Sequence, residues 1–107
     1  MPEVTIKGIP EKTIEKVSAD LYAGLAEAVG CPADWFVIDT IPATYFTQEG
    51  KIGERPALVN VSWFPRPVEA CEKAAKAIHE VFQKAGVKKL MVQFTEMSKD
   101  RYFTFDE

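Results

Sequence analysis

The fold is decided by residues 56–86, whose sequence is PALVNVSWFPRPVEACEKAAKAIHEVFQKAG. Residues 56–64 are rich in β-branched and aromatic side chains, which favours a strand, and their apolar character is typical of a central one. After Pro67 apolar residues recur at intervals of three and four, which indicates an amphipathic helix. A proline suits the start of a helix and Gly86 suits its end, because a helix commonly stops at a left-handed residue. We therefore predict a strand followed by a helix.

The first part of the chain repeats this pattern. In residues 2–30, PEVTIKGIPEKTIEKVSADLYAGLAEAVG, a short strand around residues 4–6 precedes Pro10, a helical apolar stripe and Gly30. The stripe contains Ile14, Val17, Leu21, Leu25 and Ala28. The chain therefore begins, like residues 56–86, with a strand and a helix bounded by proline and glycine.

A further strand is predicted after each helix, at residues 35–38 and at residues 90–94, so the element order is β-α-β twice. We interpret residues 2–40 and 56–97 as two pseudo-repeats within one domain that spans residues 1–107.

Right-handed crossovers would make the strands of each half parallel and place both helices on one face. The sequence therefore predicts an α+β fold: tandem β-α-β repeats, with a four-stranded mixed sheet and two helices on one face. We expect the other face to carry Trp63 and Phe94 and to favour association, because it would expose apolar surface. Residues 44–46 and 51–52 are predicted to form a hairpin arm. A ferredoxin-like fold has the same element order and remains an alternative.

Composition excludes several classes of function. The 107 residues carry a formal net charge of −3, which gives no electrostatic reason to expect nucleic acid or an acidic membrane as partner. No apolar run approaches the roughly 20 residues that cross a bilayer, and no secretory signal begins the sequence. Cys31 and Cys71, with one histidine, have no metal-ligand spacing, so we predict two free thiols, a cytoplasmic protein, no metal and no cofactor.

Three short motifs resemble a known family. Pro2 follows Met1 directly and opens the first strand, residues 94–99 read FTEMSK, and residues 30–32 read GCP. These features resemble the tautomerase superfamily of 4-oxalocrotonate tautomerase and macrophage migration inhibitory factor (MIF). Residues 61–66, VSWFPR, look most like an uncharacterised bacterial branch of it. The resemblance implies a tautomerase/MIF-like fold over nearly the whole chain and, as in the double-repeat members, a homotrimer with sites between subunits.

The resemblance also implies a reaction. The chain would be a tautomerase or isomerase that interconverts keto and enol forms of a small carboxylic acid, with Pro2 as its catalytic general base. Once Met1 is removed, Pro2 is a secondary amine; free α-amino groups titrate at about pH 8, and burial or a nearby cation lowers that pKa. The alternative is that Pro2 is only a rigid start to an edge strand.

Five residues are candidates for substrate binding. The resemblance implies that Arg66 occupies the position of a carboxylate-binding arginine. The sequence supports equally well the interpretation that Arg66 is a solvated arginine on the surface. Gln93 takes the place of a strand asparagine beside the site, or is a polar residue on the sheet face. Trp63 and Tyr102 would line the pocket, or belong to the core or an interface. Lys99 would reach the site from a neighbouring subunit, or is solvated.

Two other functions remain open on the sequence alone. One is a tautomerase-fold protein without catalysis that binds a small acid or a protein. The other is a ferredoxin-like regulatory module in which Pro2 has no role. The resemblance is incomplete, because Cys31 and Val37 stand where relatives place a lysine and an arginine.

Overall fold

The secondary structure follows the expected order of elements. The computed structural model describes residues 2–106. Over these residues the elements are β1 (Glu3–Lys7), α1 (Glu11–Val29), β2 (Val37–Thr40), β3 (Tyr45–Phe46), β4 (Ile52–Gly53), β5 (Ala57–Trp63), α2 (Val68–Lys84) and β6 (Leu90–Glu96). Short 3₁₀ turns lie at Ala33–Trp35 and Lys99–Arg101.

The four longer strands form one mixed sheet in the order β2-β1-β5-β6. β1 is parallel to β2, β5 is parallel to β6, and the two pairs meet antiparallel along β1 and β5. This confirms the α+β four-stranded sheet. It also excludes the ferredoxin-like alternative, because the β-α-β units of that fold are split by an inserted strand, whereas here the two strands of each unit pair directly.

The helix limits match the proline and glycine signals. Pro10 and Pro67 immediately precede the two helices, where the absence of an N–H costs no hydrogen bond. Gly30 caps the C-terminus of α1; it has a φ of 79° and donates its N–H to the Ala26 carbonyl at 2.8 Å. Ala85 caps α2 and is followed by Gly86, which has a φ of 91°. Both helix predictions are confirmed.

Both helices pack on one face of the sheet, and alternation along the strands decides which side chains they cover. In β5, residues Ala57, Val59, Val61 and Trp63 are buried against the helices, while the residues between them face the other side. Phe94 packs against the same core. The expectation that Trp63 and Phe94 occupy the open face is therefore wrong.

A network of polar side chains lies on the open face, between β5 and β6. Thr95 donates a hydrogen bond to the Asn60 amide oxygen at 2.9 Å, and the Asn60 amide nitrogen donates to Ser62 Oγ at 3.0 Å. This network joins β5 to β6 across a face that the two helices leave uncovered. The open face thus combines this hydrogen-bonded network with exposed apolar side chains, Val37 and Met91, rather than with Trp63 and Phe94.

The second strand begins later than predicted. Trp35 lies in a 3₁₀ turn, because its N–H bonds to the Pro32 carbonyl at 3.1 Å. β2 starts only at Val37, whose N–H donates to the carbonyl of Pro2, the residue before β1. The predicted hairpin arm is confirmed as β3 and β4, and it leaves Phe46 and Ile52 64% and 74% exposed. Within residues 2–106 no helix is long and apolar enough to cross a membrane.

Candidate functional site

A cavity of ≈ 380 Å³ lies at the end of the sheet where β1 begins and β5 ends. Its lining consists of Pro2, Trp35, Trp63, Phe64 and Arg66. The antiparallel pairing places Glu3 opposite Ser62, so the residues just before β1 and at the end of β5 are neighbours. The volume lies within the range typical of small-molecule sites. The sheet topology therefore joins residues that are about 60 positions apart in sequence.

Pro2 is buried and directly precedes β1, which is an inner strand of the sheet. Its carbonyl accepts a hydrogen bond from the Val37 N–H at 3.0 Å, and β5 flanks β1 on the other side. The interpretation of Pro2 as the start of an edge strand does not fit, because β1 has a neighbour on each side. Met1, whose removal the catalytic hypothesis requires, lies outside the described residues.

Arg66, the cation of the cavity, packs against a pair of stacked aromatic rings. The Arg66 guanidinium lies 4.9 Å from the centroid of the Trp63 ring, a distance that permits a cation–π contact. Trp63 in turn stacks on Phe94, with ring centroids 5.1 Å apart. Because Trp63 is only 1% exposed, the core fixes the ring that supports Arg66.

Arg66 also has an unfulfilled hydrogen-bonding group. Its Nε is buried and has no hydrogen-bond partner in the part of the chain that the structure describes. A buried donor without an acceptor carries a cost of desolvation. Arg66 is the charged member of the cavity lining, and the remaining members are apolar or aromatic. This combination suits a small anion with an apolar body.

Three predicted binding residues lie outside the cavity lining. Tyr102 and Lys99 contact the ring of Phe64: Tyr102 makes an edge-to-face contact at 5.3 Å, and the Lys99 Nζ lies 5.6 Å from the ring centroid. Gln93 pairs with Asn60 in the sheet and, by alternation, lies on the open face. The chain thus brings Pro2, Trp63 and Arg66 together, but not Gln93.

Sequence reasoning missed two lining residues, Trp35 and Phe64. Trp35 lies three residues after Pro32, and Phe64 directly precedes Pro65. Both lie in irregular segments, whereas the sequence predicts a strand at each position. The available signal was the turn chemistry of Pro32, which delays β2 and leaves Trp35 49% exposed beside the site. An exposed tryptophan next to a turn is a better candidate for ligand contact than one within a buried strand.

A second cavity, of ≈ 490 Å³, lies at the opposite end of the sheet. Its lining includes Arg55 but also the carboxylates of Glu11 and Glu54, and Arg55 already donates to the Pro56 carbonyl at 3.1 Å. Two carboxylates oppose an anionic ligand, so the Pro2 cavity is the better candidate for one. Among residues 2–106, no group of three or more His, Cys, Asp or Glu side chains is placed to hold a metal ion.

Comparison with known proteins identifies one matching sequence family and solved structures with a similar architecture. The sequence model of the family described as "Domain of unknown function (DUF1904)" matches residues 1–107. A solved DUF1904 domain from Sebaldella termitidis is 28% identical, with a TM-score of 0.87 over 97% of this chain and 95% of that one. No curated protein matched the sequence.

Solved proteins of the tautomerase superfamily share the fold. A macrophage migration inhibitory factor-like protein from Entamoeba histolytica superposes with a TM-score of 0.72 at 19% identity, over 97% of this chain and 95% of that one. A fused 4-OT, described as a symmetric trimer, superposes with a TM-score of 0.66 at 20% identity, over 92% and 85%. These matches confirm the resemblance at the level of the fold, which is the tautomerase/MIF-like one.

Proposed function

We propose that this chain, which belongs to the DUF1904 family, is a tautomerase or isomerase that interconverts the keto and enol forms of a small carboxylic acid. The observation that carries the proposal is the cavity itself. Pro2 is buried there, in an aromatic lining that contains one cation, Arg66. A base and a carboxylate-binding group are the two components that such a reaction needs.

Pro2 would be the general base after removal of Met1. While Met1 remains, the ring nitrogen belongs to a tertiary amide and cannot accept a proton. Once freed, it is a secondary amine in a buried site near a guanidinium, and both features disfavour its protonated form. Its pKa would therefore fall below the usual range of an α-amino group, toward the pH at which a general base is most effective.

The proposed reaction conserves every atom. The Pro2 nitrogen takes a proton from the carbon next to the substrate carbonyl, and the electron pair of that C–H bond passes to the carbonyl oxygen as an enolate. Proline then returns the proton, to the enolate oxygen for an enol or to another carbon for an isomer. Arg66 would hold the carboxylate with charge-assisted hydrogen bonds, while the aromatic walls exclude water.

Replacing Arg66 by methionine is expected to weaken binding of an aryl carboxylate about 10- to 100-fold, because hydrogen bonds to charged groups contribute about 1.5–3 kcal/mol each. Both tryptophans of the chain line the cavity, so intrinsic fluorescence reports binding without turnover. Titration with 3-phenylpropionate, which has no keto group to enolise, measures the Kd. Arg101→Met removes an exposed arginine in the C-terminal segment and is the matched control. Equal losses in both variants would show that Arg66 has no specific role.

The active form would be a homotrimer. A single chain leaves apolar side chains uncovered on the hairpin, at Phe46 and Ile52, and in the C-terminal segment, at Phe103 and Phe105. Exposed apolar surface favours association, and one protein of the same fold is described as a symmetric trimer.

Light scattering during gel filtration is expected to give three times the chain mass of 12.0 kDa. A monomer across the micromolar range would contradict the trimer, and Phe46→Ser with Ile52→Ser should weaken it.

A further inference from the structure

The C-terminal segment, residues 98–106, contacts Phe64, a residue that lines the Pro2 cavity. The start of this segment is held against β5, because the N–H of the preceding residue, Met97, donates to the Trp63 carbonyl at 2.8 Å. The following 3₁₀ turn, Lys99–Arg101, places residues three apart on the same side. Lys99 and Tyr102 are so spaced, and both contact the Phe64 ring.

Phe64 depends on these contacts because the sheet does not hold it. The last paired residue of β5 is Trp63, which lies opposite Glu96, and Phe64 begins the irregular segment that leads to α2. Its ring is only partly buried, yet it forms a wall of the cavity. Tyr102 packs edge-to-face on that ring, with an interplanar angle of 87°, and the Lys99 ammonium faces it.

We infer that Tyr102 is a positioning residue of the cavity: with support from Lys99, it fixes the Phe64 ring as the wall against which the apolar body of the substrate packs. The effect of Tyr102 on KM rests on the proposed function, whereas its contact with Phe64 does not. It assigns Tyr102 and Lys99 a role different from direct substrate binding, since neither lines the cavity. Phe64, in contact with the ligand, would set the size of the apolar group that the site accepts.

Tyr102→Ala is expected to raise KM for phenylpyruvate about three- to tenfold, because an aromatic edge-to-face pair contributes about 0.5–1.5 kcal/mol. The kcat should stay within about twofold, since Tyr102 touches neither Pro2 nor the reacting carbon. Tyr102→Phe keeps the ring edge and should restore the wild-type KM. Thr104→Ala, at an exposed polar position nearby in the same segment, should leave KM unchanged. An unchanged KM in Tyr102→Ala, or a loss in Tyr102→Phe equal to that in Tyr102→Ala, would overturn the inference.

A second measurement needs neither substrate nor activity. With 4-fluorophenylalanine incorporated at position 64, the ¹⁹F resonance reports the surroundings of that ring directly. Tyr102→Ala should shift the resonance toward the solvent-exposed value and increase its D₂O-induced isotope shift, whereas Tyr102→Phe should change neither. An identical resonance in all three proteins would show that Tyr102 does not position Phe64. A shifted resonance in a protein without tautomerase activity would sustain the positioning role and refute the proposed function, so the two failures are distinguishable.

Discussion

Pro2→Ala is expected to lower kcat/KM for phenylpyruvate ketonisation at least about 100-fold, since a positioned general base contributes about 10²–10⁴-fold to a rate. The variant keeps an α-amino group but loses the ring that fixes its direction and makes it a secondary amine. The rate is followed by the loss of enol absorbance in freshly dissolved substrate. Mass spectrometry of both proteins determines whether Met1 has been removed.

Pro56 provides the control for this experiment. It precedes β5 as Pro2 precedes β1, but its nitrogen is part of the chain and cannot act as a base. Pro56→Ala should therefore retain wild-type kcat/KM despite a small change in stability. Equal rates for wild type and Pro2→Ala would contradict catalysis by Pro2. Retained binding of 3-phenylpropionate in that case would favour a tautomerase-fold protein that binds small acids without converting them.

Trp63→Ala is expected to lower the free energy of unfolding by about 3–5 kcal/mol, which is the usual cost of truncating a buried tryptophan. Trp63 is 1% exposed and stacks on Phe94, so its removal leaves a cavity and also removes the support of Arg66. Urea unfolding followed by circular dichroism measures the change. Trp63→Phe should recover most of the stability, because it refills most of the volume.

Trp35 is the matched control, since it lines the same cavity but is 49% exposed. Trp35→Ala should cost less than about 1 kcal/mol of stability while still weakening 3-phenylpropionate binding, because a half-exposed side chain loses little burial. The two variants thus separate the contribution of the cavity to binding from its contribution to the fold. Similar losses of stability in both would mean that Trp63 is not part of the core.

Local patterns were sufficient for the elements and the fold class. The spacing of apolar residues in α1 and α2, together with Pro10, Pro67 and Gly30, placed both helices nearly to the residue. The second strand was misplaced, because Pro32 begins a 3₁₀ turn that takes up Trp35. The interpretation of residues 2–40 and 56–97 as internal repeats stays a prediction.

The sequence by itself thus determined the two β-α-β units and singled out Pro2, Trp63 and Arg66 as candidates, since these follow from local propensity and recognisable motifs. Only the tertiary structure decided which side chains meet. The antiparallel pairing of β1 with β5 brings Pro2 to the end of the strand that carries Trp63, and alternation turns Gln93 to the other face. A one-residue change in pairing would reverse every side chain of a strand. The choice of β5 as the partner of β1 joins segments about 50 residues apart, so it depends on long-range packing.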